Sequence, residues 1–267
     1  MRVPRRALLA LPGLLHASPG RAVTLPESSS QGAYLVGRDA VGAALSLDGR
    51  ALRVSPSGRF ALAFHREHGP EARLLIRRDG RSEMRLIRVA PRAWDIQRIT
   101  GLPPAMVTPD AEALARIRAE AARVAEIRRQ DRPAEGFAEP LLWPAEGRIS
   151  GVFGSQRILN GEPRAPHLGI DIAVPTGTPV RAALPGRVVL AEDLYFNGLT
   201  VILDHGHGVT TTYSHLSAFR IREGADLAQG EVLGLSGATG RVTGPHLDFR
   251  LHWFERAADP LPLLPPR

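Results

Sequence analysis

The heptapeptide His246-Leu247-Asp248-Phe249-Arg250-Leu251-His252 alternates polar and apolar side chains at every position. In an extended strand, successive side chains point to opposite faces of the sheet. The leucines and the phenylalanine would then enter a hydrophobic core, while the histidines, the aspartate and the arginine would line the other face. This stretch therefore predicts a β-strand that carries a polar site on one of its faces.

A second pairing of imidazole and carboxylate lies upstream, at His167 and Asp171. On a strand, positions i and i+4 share a face, so both groups can point toward one ion. Between the two sets lies Tyr213-Ser214-His215-Leu216, at a predicted strand end. Polar groups that converge on one place need a shared partner or solvent, and a metal ion is the economical partner.

The chain has no cysteine, so any metal must be held by His, Asp or Glu. Not every histidine of this region is expected to take part. A lone histidine near an apolar strand is more often a satisfied structural group. We interpret three of them in this way: His205, His207 and His252.

The composition is that of a folded globular protein, with 267 residues, 43% hydrophobic and 23% charged. The net charge is +7, and every basic residue is arginine. Residues 1–135 hold 23 arginines and 14 acids, whereas residues 136–267 hold 11 and 13. A basic half suits nucleic acid, anionic lipid or an anionic envelope polymer. Because the chain shows no nucleic-acid-binding motif, we expect no nucleic acid partner.

The N-terminus has the pattern of an export signal. Three arginines precede a short apolar run at residues 7–15, and small residues near Ala17 or Ala22 offer a cleavage site. The pattern predicts a signal peptide over residues 1–22, export, and a periplasmic location. The run is too short for a membrane span, so a retained anchor is the weaker alternative, beside an unprocessed cytosolic terminus.

Three further segments follow. Residues 25–101 show short strand-like runs broken by Asp48-Gly49, Ser57-Gly58 and Asp79-Gly80, which predict hairpins in a small all-β sandwich or barrel. Residues 102–136 hold an amphipathic helix that Thr108 would cap, with Pro109 at its first position, and then a linker. Residues 137–267 show strands again, including a predicted strand over 181–190, in an antiparallel domain with little helix.

The second β region resembles the lysostaphin/LytM-type zinc endopeptidases, which cut peptidoglycan cross-links. The resemblance covers about residues 143–256, and several motifs carry it in order. These are His167-x-x-x-Asp171 and the residues after it to Val180, Ala182-x-x-Pro-Gly186-x-Val188, Asp204-His-Gly-His-Gly208, Thr212-Tyr-Ser-His-Leu216, and Gly237-Ala-Thr-Gly-Arg-Val-Thr-Gly-Pro-His-Leu-Asp248. It implies a mainly β fold: an antiparallel metallopeptidase domain preceded by a small β module and a linking helix.

The resemblance also implies roles for particular residues. His167 and Asp171 would be metal ligands, and position 248 would be the third. His215 and His246 would be the histidines of the active site that do not bind the metal. For Tyr213, two roles stay open: a donor to the oxyanion of the reaction, or an aromatic wall of the groove.

One departure from the family is clear, because its closing motif is His-x-His and this chain has His246-Leu247-Asp248. Aspartate is a competent zinc ligand. One histidine and two aspartates around Zn²⁺ give a formally neutral site, which should activate water less, so slower chemistry or another metal is an alternative. Arg250 would either bind a substrate carboxylate or pair with Asp248.

The implied function is that of an exported zinc metalloendopeptidase acting on peptide cross-links of peptidoglycan, with the D-Ala–meso-diaminopimelate bond as the expected target. The alternative is a catalytically weakened protein that grips peptidoglycan or activates a murein amidase. A DNA- or lipid-binding protein is a third option, but it leaves the second β region unexplained. The partners expected are peptide stems of peptidoglycan, with anionic envelope polymers or an amidase as further options.

Overall fold

The computed structural model describes residues 22–99, 111–159 and 161–267. The predicted signal peptide up to residue 21, and the predicted helix start at Thr108 and Pro109, lie outside the described residues. In the described part, strands dominate and most pairings are antiparallel, which confirms the mainly β prediction. No helix in these ranges is long and apolar enough to span a membrane.

One α-helix, two short 3-10 helices at Gly136–Ala138 and Leu261–Leu263, and twenty strands make up the described chain. The elements are β1 (Ser28–Ser30), β2 (Tyr34–Gly37), β3 (Ala44–Leu47), β4 (Arg50–Leu52), β5 (Phe60–Ala63), β6 (Glu71–Arg78), β7 (Arg81–Ala90), β8 (Ile96–Ile99), α1 (Ala111–Arg128), β9 (Arg148–Gly151), β10 (Gln156–Leu159), β11 (Glu162–Pro163), β12 (Ile170–Ala173), β13 (Pro179–Arg181), β14 (Gly186–Leu194), β15 (Gly198–Gly206), β16 (Val209–Phe219), β17 (Asp226–Leu227), β18 (Val232–Ser236), β19 (Leu247–Trp253) and β20 (Arg256–Ala258).

The first β region contains two of the three predicted hairpins. Asp48-Gly49 joins β3 to β4 and Asp79-Gly80 joins β6 to β7, and all four residues have positive φ, as a type I′ turn requires. The third prediction is wrong as a hairpin. Ser57-Gly58 lies in a turn, but β4 and β5 on either side belong to different sheets: β4 pairs with β3, and β5 pairs with β2.

The second β region forms a large sheet in the order β17-β14-β15-β16-β19-β12-β9. The predicted single strand over 181–190 is divided into β13 and β14, with Pro185 directly before β14. Proline has no backbone N–H to continue a ladder, which accounts for the break. In β19 the apolar residues are buried in the core, as the alternation predicts.

The two β regions share a hydrophobic core. Phe137 and Trp253 pack in the same cluster as Phe60 and Phe64 from the first region. The Tyr34 hydroxyl also donates a hydrogen bond to the Phe137 carbonyl at 2.9 Å. The shared core thus attaches the first region to the side of β19 opposite to the polar face of that strand.

Helix α1 lies against the polar side of the large sheet. Val124 and Ile127 pack on Leu190, Leu194 and Ile202 from β14 and β15. The helix therefore covers one half of the face on which Asp248 and Arg250 lie, and the other half holds the candidate site.

Candidate metal centre

The structure brings three predicted ligands together at the junction of β12 and β19. Asp171 in β12 lies directly opposite Asp248 in β19, and His167 precedes β12. One donor atom from each of the three residues lies within 4.8 Å of the others. The His167 Nε2 atom is 3.3 Å from Asp171 Oδ1. This spacing matches a set of ligands around one ion.

Two of these donor atoms have no hydrogen-bond partner within the described residues. His167 Nε2 and Asp171 Oδ1 are both buried without a hydrogen bond in the described chain. Two carboxylates opposite each other on adjacent strands repel, and buried polar atoms without partners are costly. A divalent cation relieves both penalties, and one imidazole with two carboxylates is a donor set that such ions accept. The residues therefore fit a metal ion.

Asp248 is held by Arg250 in a fork of hydrogen bonds. The Arg250 Nε donates to Oδ1 at 2.9 Å, and its Nη2 donates to Oδ2 at 2.5 Å. Burial by itself would raise the pKa of Asp248, but the charge and hydrogen bonds of Arg250 lower it to about 2. Of the two roles predicted for Arg250, the structure shows the pairing with Asp248.

His215 and His246 stand beside the three ligands, with their rings 4.8 Å apart. The His215 Nδ1 lies 2.8 Å from the Thr239 carbonyl, and the His246 Nδ1 lies 2.8 Å from the Gly244 carbonyl. A carbonyl accepts a hydrogen bond, so each neutral ring carries its proton on Nδ1 and leaves Nε2 as an acceptor. The His246 Nε2 is 3.7 Å from Asp171 Oδ1, so this ring faces the ligand cluster.

Two glycines, for which the sequence predicted no role, leave room for the carboxylates. A Cβ on Gly151 would lie 2.2 Å from Asp171 Oδ2, and a Cβ on Gly169 would lie 2.5 Å from the Arg250 side chain. Gly169 belongs to the quoted motif around His167, whereas nothing in the sequence marks Gly151. Close packing of the backbone on charged side chains explains both.

The structure contradicts the predictions that Tyr213 is a donor to the oxyanion or a groove wall. Tyr213 lies opposite Phe249 on the core face, and it is fully buried. Its hydroxyl accepts a hydrogen bond from the Ala183 amide at 2.8 Å and lies 3.0 Å from the Thr211 hydroxyl. Tyr213 therefore supports the sheet from the side opposite to the ligands.

The Tyr213→Phe variant tests this placement. The free energy of unfolding should fall by about 1–3 kcal/mol, because the buried Ala183 amide loses its acceptor. Peptide cleavage under saturating substrate should change little, because Tyr213 lies on the face of the sheet opposite to the ligands. Urea denaturation and a cleavage assay measure the two. A large loss of cleavage with unchanged stability would return Tyr213 to the site.

The three histidines interpreted as structural all lie buried in the sheet or its turns. The His205 Nδ1 lies 2.8 Å from the Pro185 carbonyl and its Nε2 lies 2.7 Å from the Thr211 hydroxyl. His207 stacks on Phe137, with ring centroids 4.2 Å apart. Burial lowers the pKa of His205 to about 4 and that of His252 well below its usual value.

Acid should therefore destabilise the protein through His205. The unfolded chain takes up a proton near pH 6.5, whereas the folded chain does not until about pH 4. The contribution of His205 to the free energy of unfolding is therefore fully present above pH 6.5. It falls by up to about 3 kcal/mol as the pH drops to 4. The His205→Gln variant should show a smaller loss between pH 7.5 and pH 4.5 in urea denaturation. An unchanged pH dependence would contradict this prediction.

The comparisons with known proteins agree with this geometry. Residues 165–260 match the model of peptidase family M23. Peptidoglycan DD-endopeptidase ShyA of Vibrio cholerae is 43% identical over 105 residues, covering 39% of this chain and 24% of ShyA. DD-carboxypeptidase/endopeptidase Mpg of Neisseria meningitidis is 43% identical over 111 residues, covering 42% of this chain and 25% of Mpg. The alignments thus span about a quarter of the length of these curated relatives.

The similarity to a solved structure extends further along the chain. A Pseudomonas aeruginosa protein described as a candidate peptidase M23 superposes with a TM-score of 0.68 at 28% identity. The superposition covers 86% of this chain and 92% of that one, so it includes the first β region. Peptidase family M23 is a metallopeptidase family. The matched segment contains all three converging donors and both neighbouring histidines, and residues 165–260 therefore form a peptidase M23 domain.

Proposed function

We propose that this protein is an exported zinc metalloendopeptidase that hydrolyses peptide cross-links of peptidoglycan in the periplasm. The observation that carries the proposal is the convergence of His167, Asp171 and Asp248 beside two further histidines. The relatives named as peptidoglycan DD-endopeptidases support the substrate class. The arginine-led apolar run at the N-terminus supports export.

His167, Asp171 and Asp248 would hold Zn²⁺, for which imidazole and carboxylate are ordinary ligands. When bound, the ion would supply Lewis acidity toward the scissile carbonyl and toward water. The protein keeps its own donor atoms in place by strand pairing, because Asp171 and Asp248 occupy one register position of β12 and β19.

His215 and His246 would move protons during hydrolysis. Burial lowers the pKa of His215, so its ring is neutral at pH 7 and can accept a proton at Nε2. His246 has the same orientation, with Nδ1 held by a carbonyl and Nε2 toward the ligands. One ring, in its neutral form, can take a proton at Nε2 from the attacking water. The other can donate from Nε2 to the developing charge in its imidazolium form, with Nδ1–H still bonded to its carbonyl.

Arg250 changes the electrostatics expected from the sequence. One histidine and two aspartates make a formally neutral site with Zn²⁺, but the Arg250 guanidinium is bonded directly to one of those aspartates. The four side chains and the ion together carry +1, the same as two histidines and one aspartate. The formal charge of the site therefore gives no reason to expect slower water activation from Asp248 than from a histidine.

The second candidate is a catalytically weakened protein that binds peptidoglycan or activates an amidase. The observation that favours it is again Asp248, which departs from the family motif and whose oxygens already accept from Arg250. This candidate makes the same contacts with peptide stems but predicts intact cross-links.

Metal analysis and digestion of purified sacculi separate the two. We expect about one zinc per chain and the release of uncross-linked muropeptides, detected by chromatography. The His246→Ala variant, which removes a histidine without removing a ligand, should retain zinc and lose most of the cleavage. Intact cross-links with zinc, manganese or cobalt added would overturn the endopeptidase proposal and favour the binder.

A further inference from the structure

A cavity of about 730 Å³ lies between helix α1 and the polar face of the large sheet. Its floor includes Thr200, Thr212 and Arg250 from β15, β16 and β19, and its roof includes Arg128 at the end of α1. Arg250 is common to the cavity and to the candidate metal centre, where it bonds Asp248. The cavity therefore adjoins the candidate metal centre through Arg250.

The carboxylates that line this cavity are already engaged. Glu120 accepts a hydrogen bond from Arg116 at 2.6 Å and another from the Tyr195 amide at 2.9 Å. Glu255 is paired with Arg50 at 2.8 Å near the surface. Neither carboxylate forms an ion pair with Arg128 within the described part of the chain.

The arginines of the wall differ in their partners. Arg50 is paired with Glu255, Arg129 with Glu126, and Arg250 with Asp248. Arg128 has no carboxylate partner among residues 22–99, 111–159 and 161–267, and its buried Nε makes no hydrogen bond there. Burial and the charge of Arg250 lower the pKa of Arg128 to about 10, so the guanidinium stays charged at neutral pH without a carboxylate to balance it in the described chain.

A second unpartnered group lies on the floor. Thr212 is 4% exposed, and its hydroxyl makes no hydrogen bond within the described ranges. It lies directly opposite Arg250 across the β16 and β19 pairing. The Thr212 hydroxyl and the Arg128 Nε both lack a partner within the described residues and both lie at this cavity. Together they form a complementary set of donors for an anion.

We propose that this cavity is a subsite for a carboxylate of the substrate. Arg128, Thr212 and the part of the Arg250 guanidinium that does not bond Asp248 would hold it. The inference rests on the proposed function, since it names the part of the cross-link that the cavity takes. Ser214 lies opposite Asp248 and Thr212 opposite Arg250, so the subsite is two residues, roughly 7 Å, along the strand from the ligand position.

The chemistry of the expected substrate supplies such a group. When the side amino group of meso-diaminopimelate is acylated by D-alanine, the carbon that bears the scissile nitrogen also bears a free carboxylate. That carboxylate lies directly beside the scissile amide, on its amine side. A cationic subsite next to the metal centre would select this cross-link over one whose carboxylate is amidated.

The test uses two muropeptide dimers that differ only in this carboxylate, one free and one converted to the primary amide. Binding to the zinc-loaded His246→Ala protein is measured by isothermal titration calorimetry, so cleavage is not required. We expect the free-acid dimer to bind at least about tenfold more tightly than the amidated dimer, which is the gain that a charge-assisted hydrogen bond provides. Steady-state kinetics with the wild-type protein should show the same preference in KM.

Arg128→Gln, introduced into the same background, should reduce the preference to about twofold or less. Arg118→Gln is the matched control, because it makes the same change at an exposed position of α1 away from the cavity. Thr212→Val, which keeps the shape of the side chain, should reduce the preference severalfold. Thermal unfolding monitored by circular dichroism checks that each variant folds.

The outcomes separate the two proposals. Equal binding of both dimers, or a preference that Arg128→Gln leaves intact, would overturn the subsite. Cleavage of both dimers without preference would overturn the subsite and leave the endopeptidase standing. Preferential binding without any cleavage by the wild-type protein would support the subsite and overturn the endopeptidase.

Discussion

Replacing Asp171 with alanine should remove the metal and reduce cross-link cleavage by more than about 100-fold. Loss of a residue that merely orients a ligand already costs about 10–100-fold, so loss of a ligand should exceed this. Asp171 holds the central place, because its Oδ1 lies 3.3 Å from His167 and 3.7 Å from His246. Metal content by mass spectrometry and muropeptide release measure the two effects.

Asp226→Ala is the matched control, because this carboxylate is exposed and, among the residues that the structure describes, forms its ion pair with Arg187 at the surface. It should retain zinc and activity. The metal-free proteins provide a second readout: Asp171→Ala should be as stable as the wild type or more stable, since it relieves the repulsion between Asp171 and Asp248. An Asp171→Ala protein that still holds one zinc would remove this residue from the site.

Much of the site can be predicted from alternation along single strands. The heptapeptide at 246–252 places Asp248 and Arg250 on one face and Phe249 on the other, and the structure shows this arrangement. The inference for β19 succeeds because a strand with one buried face fixes which side chains share a surface. His167 and Asp171 also lie together, but His167 is outside β12, so the strand spacing of i and i+4 does not account for their proximity.

The error at Tyr213 has a local cause in the backbone. Tyr213 and His215 are two residues apart in β16 and should share a face, yet Tyr213 is in the core and His215 is at the site. His215 has a φ of 63°, in the left-handed region, and the pairing with β15 shifts register around this point. A non-glycine residue in that conformation interrupts the alternation, and sequence periodicity does not indicate where this occurs.

The pairing of Arg250 depends on three-dimensional contacts and could not be fixed from sequence. Alternation places it beside Asp248, but its alternatives, a substrate carboxylate or Asp248, are equally compatible with that position. Gly169 permits this pairing, because the absence of a Cβ there leaves room for the Arg250 side chain next to Asp248. Gly151 acts in the same way for Asp171.

The second large effect concerns the change of Asp248 to histidine, which restores the family motif. From ligand preference alone, this variant should bind zinc more tightly. The structure predicts the opposite: zinc should bind at least about tenfold more weakly, which corresponds to a loss of about 1.4 kcal/mol of binding free energy. The reason is Arg250, whose side chain is 27% exposed and forms its fork of hydrogen bonds with Asp248. Without that carboxylate, an uncompensated guanidinium would lie beside a divalent cation.

The double variant Asp248→His with Arg250→Gln tests whether these two residues act as a pair. It removes the aspartate and the arginine together, so the formal charge of the site with zinc stays at +1. We expect zinc binding within about threefold of the wild type, and a coupling of at least about 1 kcal/mol between the two changes. Arg250→Gln alone should also weaken zinc binding less than Asp248→His, because Asp248 keeps both oxygens. Chelator competition measures all four proteins.

An additive result for the two substitutions would show that Asp248 and Arg250 act independently, and the neutral-pair account would fail. Tighter zinc binding by Asp248→His alone would show that the guanidinium moves into solvent without cost. The pH dependence of the cleavage rate provides a separate criterion. If the Asp248–Arg250 pair replaces a histidine, the wild type and the double variant should show the same pH dependence. The Asp248–Arg250 pair is in this sense the equivalent of one imidazole, built from two side chains of opposite charge on one strand.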